Sequence, residues 1–123
     1  MSGQRLSAFF ALSLFAGTLG ACTHFVDVDT HGQVPLFSWR AAAPVTSLTV
    51  LADEDCPQLG GKTAEDRIWW QISGDIKPPV TYGILPRGAA ELARARPLAE
   101  GCGPWTVILS DPSMQGVRDT FRF

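Results

Sequence analysis

The sequence predicts an all-β domain, a sandwich of about seven short strands, standing behind an N-terminal segment that does not belong to it. Short runs rich in Val, Ile, Thr, Trp and Phe recur along the chain, several with apolar residues at every second position, which is the period of a half-buried strand. The runs are separated by turn-formers, 12 Gly and 9 Pro among 123 residues, a density that argues for many turns and against long helices. The runs are also evenly spaced, as in two-sheet all-β domains.

The chain opens with a polar stretch, residues 1–5, ending in the single basic Arg5. Leu6 to Leu19 is then an apolar run of 14 residues interrupted by Ser7, Ser13, Gly17 and Thr18. Charge followed by an apolar run is the layout of a secretory signal. The run is too short to span a bilayer, for which about 20 apolar residues are needed. It closes on Leu19-Gly20-Ala21-Cys22: an aliphatic residue, two small ones and a Cys. These four residues resemble the lipobox of bacterial lipoproteins. The resemblance implies cleavage before Cys22, acylation of that Cys, and export to the cell envelope. An ordinary signal peptide cut after Ala21 would instead leave Cys22 a plain thiol. Burying each acyl CH₂ contributes about 0.8 kcal/mol, and more than one chain is needed for stable attachment. Lipoproteins of this kind carry several chains, which implies a permanent tether. Thr23 in the position after the Cys, where Asp favours retention on the inner membrane in enteric bacteria, leans towards the outer membrane, facing the periplasm.

There are three cysteines, Cys22, Cys56 and Cys102. An odd number in an exported chain needs an explanation. Acylation of Cys22 leaves an even pair in a compartment where disulfides persist, so Cys56 and Cys102 are expected to be bonded. Taking residues 1–21 off the 123 leaves 102, enough for one small domain. Losing Arg5 leaves nine basic against 12 acidic residues. That weakly acidic balance provides no basic field for nucleic acid. A core of this size is marginal alone, so a disulfide matters to its stability. The expected organisation is a leader over 1–21, a lipidated Cys and tether over 22–32, and a sandwich over 33–123.

Thr23 to Gln33 reads as a solvated connection or a first edge strand. If extended, Asp27, Asp29 and His31 point one way and Val26 and Val28 the other. His24 and His31 are the only histidines and their spacing with the Asp residues is not that of a closed zinc site, so no metal and no cofactor is expected. Val34 to Trp39 is apolar, with Pro35 limiting it to an edge or a strand start. Val45 to Ala52 is a strong strand with Leu48 and Val50 facing the core. Asp53 to Pro57 turns the chain. In Arg67 to Ser73, alternation puts Ile68, Trp70 and Ile72 on one face and Arg67, Trp69, Gln71 and Ser73 on the other. Trp70 is then the buried member of the Trp pair, and Trp69 lies on the outer face or under a neighbouring loop. Val80 to Leu85 reads as the next strand, with Val80, Tyr82 and Ile84 on one face. Ala89 to Arg96 contains good helix formers, but Ala93-Arg94-Ala95-Arg96 alternates and the segment is short for a helix, so an extended conformation is favoured over a helix. Trp105 to Ser110 buries Trp105, Val107 and Leu109. Val117 to Phe123 is the last strand, with Val117, Phe121 and Phe123 alternating with Arg118, Thr120 and Arg122. A terminal Phe is common in outer-membrane barrels, but Gln115 and Asp119 break the alternation and about 100 residues is short for an eight-stranded barrel with its loops. The segment reads instead as a closing strand of the domain.

Tyr82-Gly83, then Leu85-Pro86-Arg87-Gly88, then Ala95-Arg96-Pro97-Leu98 ahead of the aromatic-led strand at Trp105 resemble the late strands of fibronectin-type-III and other immunoglobulin-like domains. The resemblance covers about a quarter of the chain and implies an immunoglobulin-like sandwich. Trp105 stands where Tyr is common. Cys56 and Cys102 flank strands rather than lying inside them, which points to a loop staple at one end and not to an inter-sheet bridge.

Catalytic patterns are not evident. With two histidines near the tether and Cys22 consumed, no Ser-His-acid triad can be assembled. Asp53, Glu54 and Asp55 sit together in a turn where charges are solvated. Gly60-Gly61-Lys62 lacks the rest of a phosphate-binding loop. The expected role is therefore a non-enzymatic binding or scaffold module, tethered to a membrane through Cys22 and facing another envelope protein. An edge strand or an aromatic face would make the contact, with Trp69, Trp39 and Arg67 as candidate contact residues, because aromatics and Arg concentrate at interface centres. The alternative is a periplasmic inhibitor of an envelope-attacking enzyme such as lysozyme, for which the acidic balance suits a basic target.

Overall fold

The computed structural model describes residues 26–40, 44–112 and 116–123. The expected leader, Cys22 and Thr23 lie outside the described residues. Eight strands follow in order: β1 (Asp27–Asp29), β2 (Leu36–Ser38), β3 (Val45–Leu51), β4 (Ile68–Ile76), β5 (Val80–Thr81), β6 (Ala89–Ala93), β7 (Trp105–Ser110) and β8 (Gly116–Phe121). A 3₁₀ turn, Glu65–Arg67, leads into β4. The strands form a three-stranded sheet, β1-β2-β5, and a five-stranded sheet, β6-β4-β3-β7-β8, antiparallel throughout. The result is a small all-β sandwich, consistent with an immunoglobulin-like fold.

The large sheet is built on β3, whose β-branched residues suit a strand paired on both sides. Leu48 pairs with Ile72 on β4 and Leu109 on β7, and Val50 with Trp70 and Val107. Residues opposite one another share a face, so these six side chains form the inner layer, and all are buried. Trp105 and Phe121 extend it. The small sheet closes over this layer. Phe37 from β2 meets Phe121 edge-on at 5.6 Å between ring centroids, and Tyr82, just past β5, meets Trp70 at 5.2 Å. Each fully buried aliphatic or aromatic side chain contributes about 1.5–3 kcal/mol, and this shared layer is the main stabilising feature.

Two sequence expectations change, and one pair of alternatives is decided. Val26 is buried and β1 pairs with β2, so of the two readings of Thr23 to Gln33 the first edge strand is the one seen, over Asp27–Asp29. The run Val80 to Leu85 is a strand for only two residues. Gly83 adopts φ 85°, a left-handed conformation that glycine tolerates and that turns the chain, and Ile84 ends up in solvent instead of beside Tyr82. The second change concerns Trp69. Val50 pairs with Trp70 but Leu51 pairs with Ile68, leaving Trp69 as an extra residue in β4. A β-bulge of this kind breaks strict alternation. Both tryptophans turn inwards, and both are fully buried.

Other expectations hold as stated. Segment 89–96 is extended, with β6 at its start. Trp105, Val107 and Leu109 are buried. Cys56 and Cys102 are disulfide-bonded, 46 residues apart in sequence, and join the β3–β4 connection to the β6–β7 connection at one end of the sandwich. The Asp53 amide donates to the Cys102 carbonyl beside the bridge, at 2.8 Å.

Candidate functional site

Trp69, Trp39 and Arg67 do not meet on an exposed face. Trp69 has no exposed surface, and its ring lies 5.6 Å from that of Trp105. Its Nε1 donates to the Pro97 carbonyl at 3.0 Å. Arg96 closes the other side, with its guanidinium carbon 3.6 Å from the ring centroid, a cation–π arrangement. Arg96 also ties its own backbone into this corner. Its amide donates to the Trp69 carbonyl at 3.1 Å, and its carbonyl accepts the Tyr82 hydroxyl at 2.6 Å. Burial, opposed by the bond to that carbonyl, pushes the Tyr82 phenol well above the ordinary tyrosine range. Trp39 is 8% exposed, and its buried Nε1 has no hydrogen-bond partner among the described residues. Arg67 is half-buried and spends its Nε on the Ala52 carbonyl at 2.9 Å, pinning the end of β3 to the start of β4. All three candidates hold the fold together. Trp69 and Trp39 are core residues, and Arg67 is half-buried at the start of β4.

Of the residues considered for a metal, His24 lies outside the described residues, and Asp29 and His31 contact each other. Asp29 accepts the His31 backbone amide at 2.9 Å and lies 2.8 Å from its Nδ1. These two contacts hold the exposed Asp29 carboxyl below the usual range. Among the described residues, no three His, Cys, Asp or Glu side chains gather as metal ligands would.

What the surface does offer is an edge. β6 ends the five-stranded sheet, and nothing among the described residues pairs with its far side. An open edge presents unpaired amide and carbonyl groups to any extended chain. Gln71 pairs with Ala93 and Ile72 with Glu91, so Leu92 is the extra residue of a second bulge, and it is 62% exposed. On the segment leading into β6, Ile84 is 64% and Leu85 44% exposed. Three of the five large apolar side chains most exposed among the described residues therefore precede or lie on this one edge. Ala89, Ala90 and Ala93 leave the strand sterically open. Inside the edge, Glu91 accepts Trp70 Nε1 at 2.8 Å through one carboxylate oxygen. From sequence, Leu85 closes an expected strand and Leu92 lies in a segment expected to be extended rather than helical. Only the sheet order reveals that Leu92 lies on an unpaired edge.

No protein-family model, curated protein or solved structure matches the chain.

Proposed function

We propose that this chain is a non-enzymatic binding module of the bacterial envelope. Acyl chains on Cys22 hold it to a membrane, on the periplasmic face of the outer membrane, and it docks an envelope protein along the β6 edge. The observation that carries the docking reading is the coincidence of an open edge strand with exposed Leu92, Ile84 and Leu85. Main-chain hydrogen bonds to an added strand supply affinity, and the flanking apolar side chains supply selectivity. The lipid anchor rests on Leu19-Gly20-Ala21-Cys22. The immunoglobulin-like assignment rests on the late-strand segments together with the two-sheet order.

A photo-crosslinking residue at position 92 of the full chain, activated in intact envelopes, tests the docking reading. A discrete adduct is expected from position 92 and none from position 106 on the opposite side of the sheet. Equal labelling from both positions, or none from 92, overturns it. Labelled palmitate tests the anchor separately: it should enter the wild type and not Cys22→Ser.

A further inference from the structure

We infer that the end of the sandwich where β1 begins rests on the lipid headgroups, and that the disulfide end stands away from them. The inference rests on the anchor reading of Cys22 and adds the surface that meets the bilayer. The supporting observation is how soon the fold begins. Val26 is already buried in the core, and β1 starts at Asp27. Val26 follows Cys22 by four residues, a length of chain that reaches at most about 14 Å. An acylated Cys22 lies at headgroup level, so Val26 is held within that distance of the bilayer. A strand such as β3, of seven residues, is about 23 Å long. The tether is thus shorter than the domain, and the end that carries it stays at the membrane.

The strand pairings show which residues share that end. Asp27 lies opposite Ser38, the last residue of β2. Residues 39–44 lead from there to Val45, which opens β3 and pairs with Ile76, the last residue of β4. Lys77, Pro78 and Pro79 then return the chain to Val80, opposite Phe37. β7 ends here too, with Ser110 opposite Ser47. The Cys56–Cys102 bridge joins the connections at the other end.

Charge separates the two ends. At the membrane end Arg40, Lys77 and Arg87 balance Asp27, Asp75 and Asp111. The disulfide end carries Asp53, Glu54, Asp55, Glu65, Asp66 and Glu100 against Lys62, Arg67, Arg96 and Arg122. Of these cations, Arg67 is spent on the Ala52 carbonyl and Arg96 on the Trp69 ring. An anionic headgroup layer attracts Lys and Arg and repels carboxylates, so tipping the domain over onto its disulfide end is opposed. β6 rises from the membrane end, with Ala89 opposite Gly74, so its open edge stands beside the bilayer and remains accessible.

Quenching by lipid-borne nitroxides tests the inference. The acylated full chain, carrying a fluorescent residue in place of Lys77 or Glu54, is reconstituted into phosphatidylethanolamine–phosphatidylglycerol vesicles with nitroxide on the headgroups. The label at 77 is expected to be quenched, and the label at 54 to keep the intensity it has without nitroxide. Circular dichroism checks that each labelled chain folds. Exposed Pro112 and Gln58 give a second pair of near and far positions if either of the first does not fold. Equal quenching at both ends, or stronger quenching at the far end, overturns the orientation while the anchor stands. If Cys22→Ser floats with vesicles as well as the wild type does, the anchor reading itself fails and takes this inference with it.

Discussion

Trp69→Ala is the substitution on which the structure and simple strand alternation disagree most. Alternation puts this side chain on the outside of the sheet. The bulge at Val50 and Leu51 turns it in against Trp105. Truncating a buried Trp costs about 3–5 kcal/mol in lost transfer energy and cavity formation. Removing the indole N–H leaves the Pro97 carbonyl without its donor, about 1 kcal/mol more. The cation–π contact with Arg96 adds about 0.5–1 kcal/mol at a partly exposed site. The sum, about 4.5–7 kcal/mol, is a large part of the roughly 5–15 kcal/mol typical of a domain this size. Trp69→Phe keeps a ring against Trp105 and loses the N–H bond, so about 2 kcal/mol is expected. Urea titration followed by far-ultraviolet circular dichroism measures both variants, and avoids the mixed fluorescence of four tryptophans. A cost for Trp69→Ala within about 0.5 kcal/mol of zero, the range of surface substitutions, would refute the bulge and the burial together.

Replacing Cys56 and Cys102 together by Ala should lower stability by about 4 kcal/mol, from the loop-closure entropy of a 46-residue separation; a loss under about 1 kcal/mol in thermal melts would show that the staple constrains little. Gly74→Ala should be damaging, because φ is +130° and a Cβ there would lie 2.5 Å from the Gly88 carbonyl oxygen; a cost of about 2 kcal/mol or more is expected, and a neutral result would contradict the close approach of β4 to the start of β6. Tyr82 is the single tyrosine, so an alkaline absorbance titration reads it alone. Its folded-state pKa is raised, so the stability linked to its proton is present below the ordinary tyrosine range and is lost as pH climbs above it. The phenol should therefore stay protonated until the fold gives way, and ionisation in the ordinary range while the protein is folded would contradict its burial.

The sequence was most informative where local patterning and global pairing agree. Leu48 and Val50 sit on a β-branched strand hydrogen-bonded on both sides, and Trp105, Val107 and Leu109 alternate without interruption, so period-two reasoning places all five correctly. Cysteine parity, with Cys22 read as acylated, left Cys56 to pair with Cys102, and the two are bonded. The misplacements come from features decided by distant partners. The position of Trp69 depends on how β4 registers against Val50 and Leu51, a long-range pairing that no window around Trp69 contains. Ile84 leaves the core because Gly83 uses a positive φ, which the Tyr82-Gly83 pair permits but does not require. Trp39 has the composition of a contact residue and is nonetheless buried, as a domain of about 100 residues needs its large side chains for its own core. The open side of β6 was the least legible feature. Good helix formers fill that segment, and its edge status follows only from β3 and β7 occupying the other side of the sheet.

Hydrogen–deuterium exchange of the β6 amides tests the edge most directly, comparing the full chain dilute in detergent with the same chain in native envelopes. Protection should rise across Ala89–Ala93 in the envelope sample and stay unchanged across Trp105–Ser110, whose amides already lie between two paired strands. Equal exchange at β6 in the two samples, or new protection at β8 alone, would contradict the account.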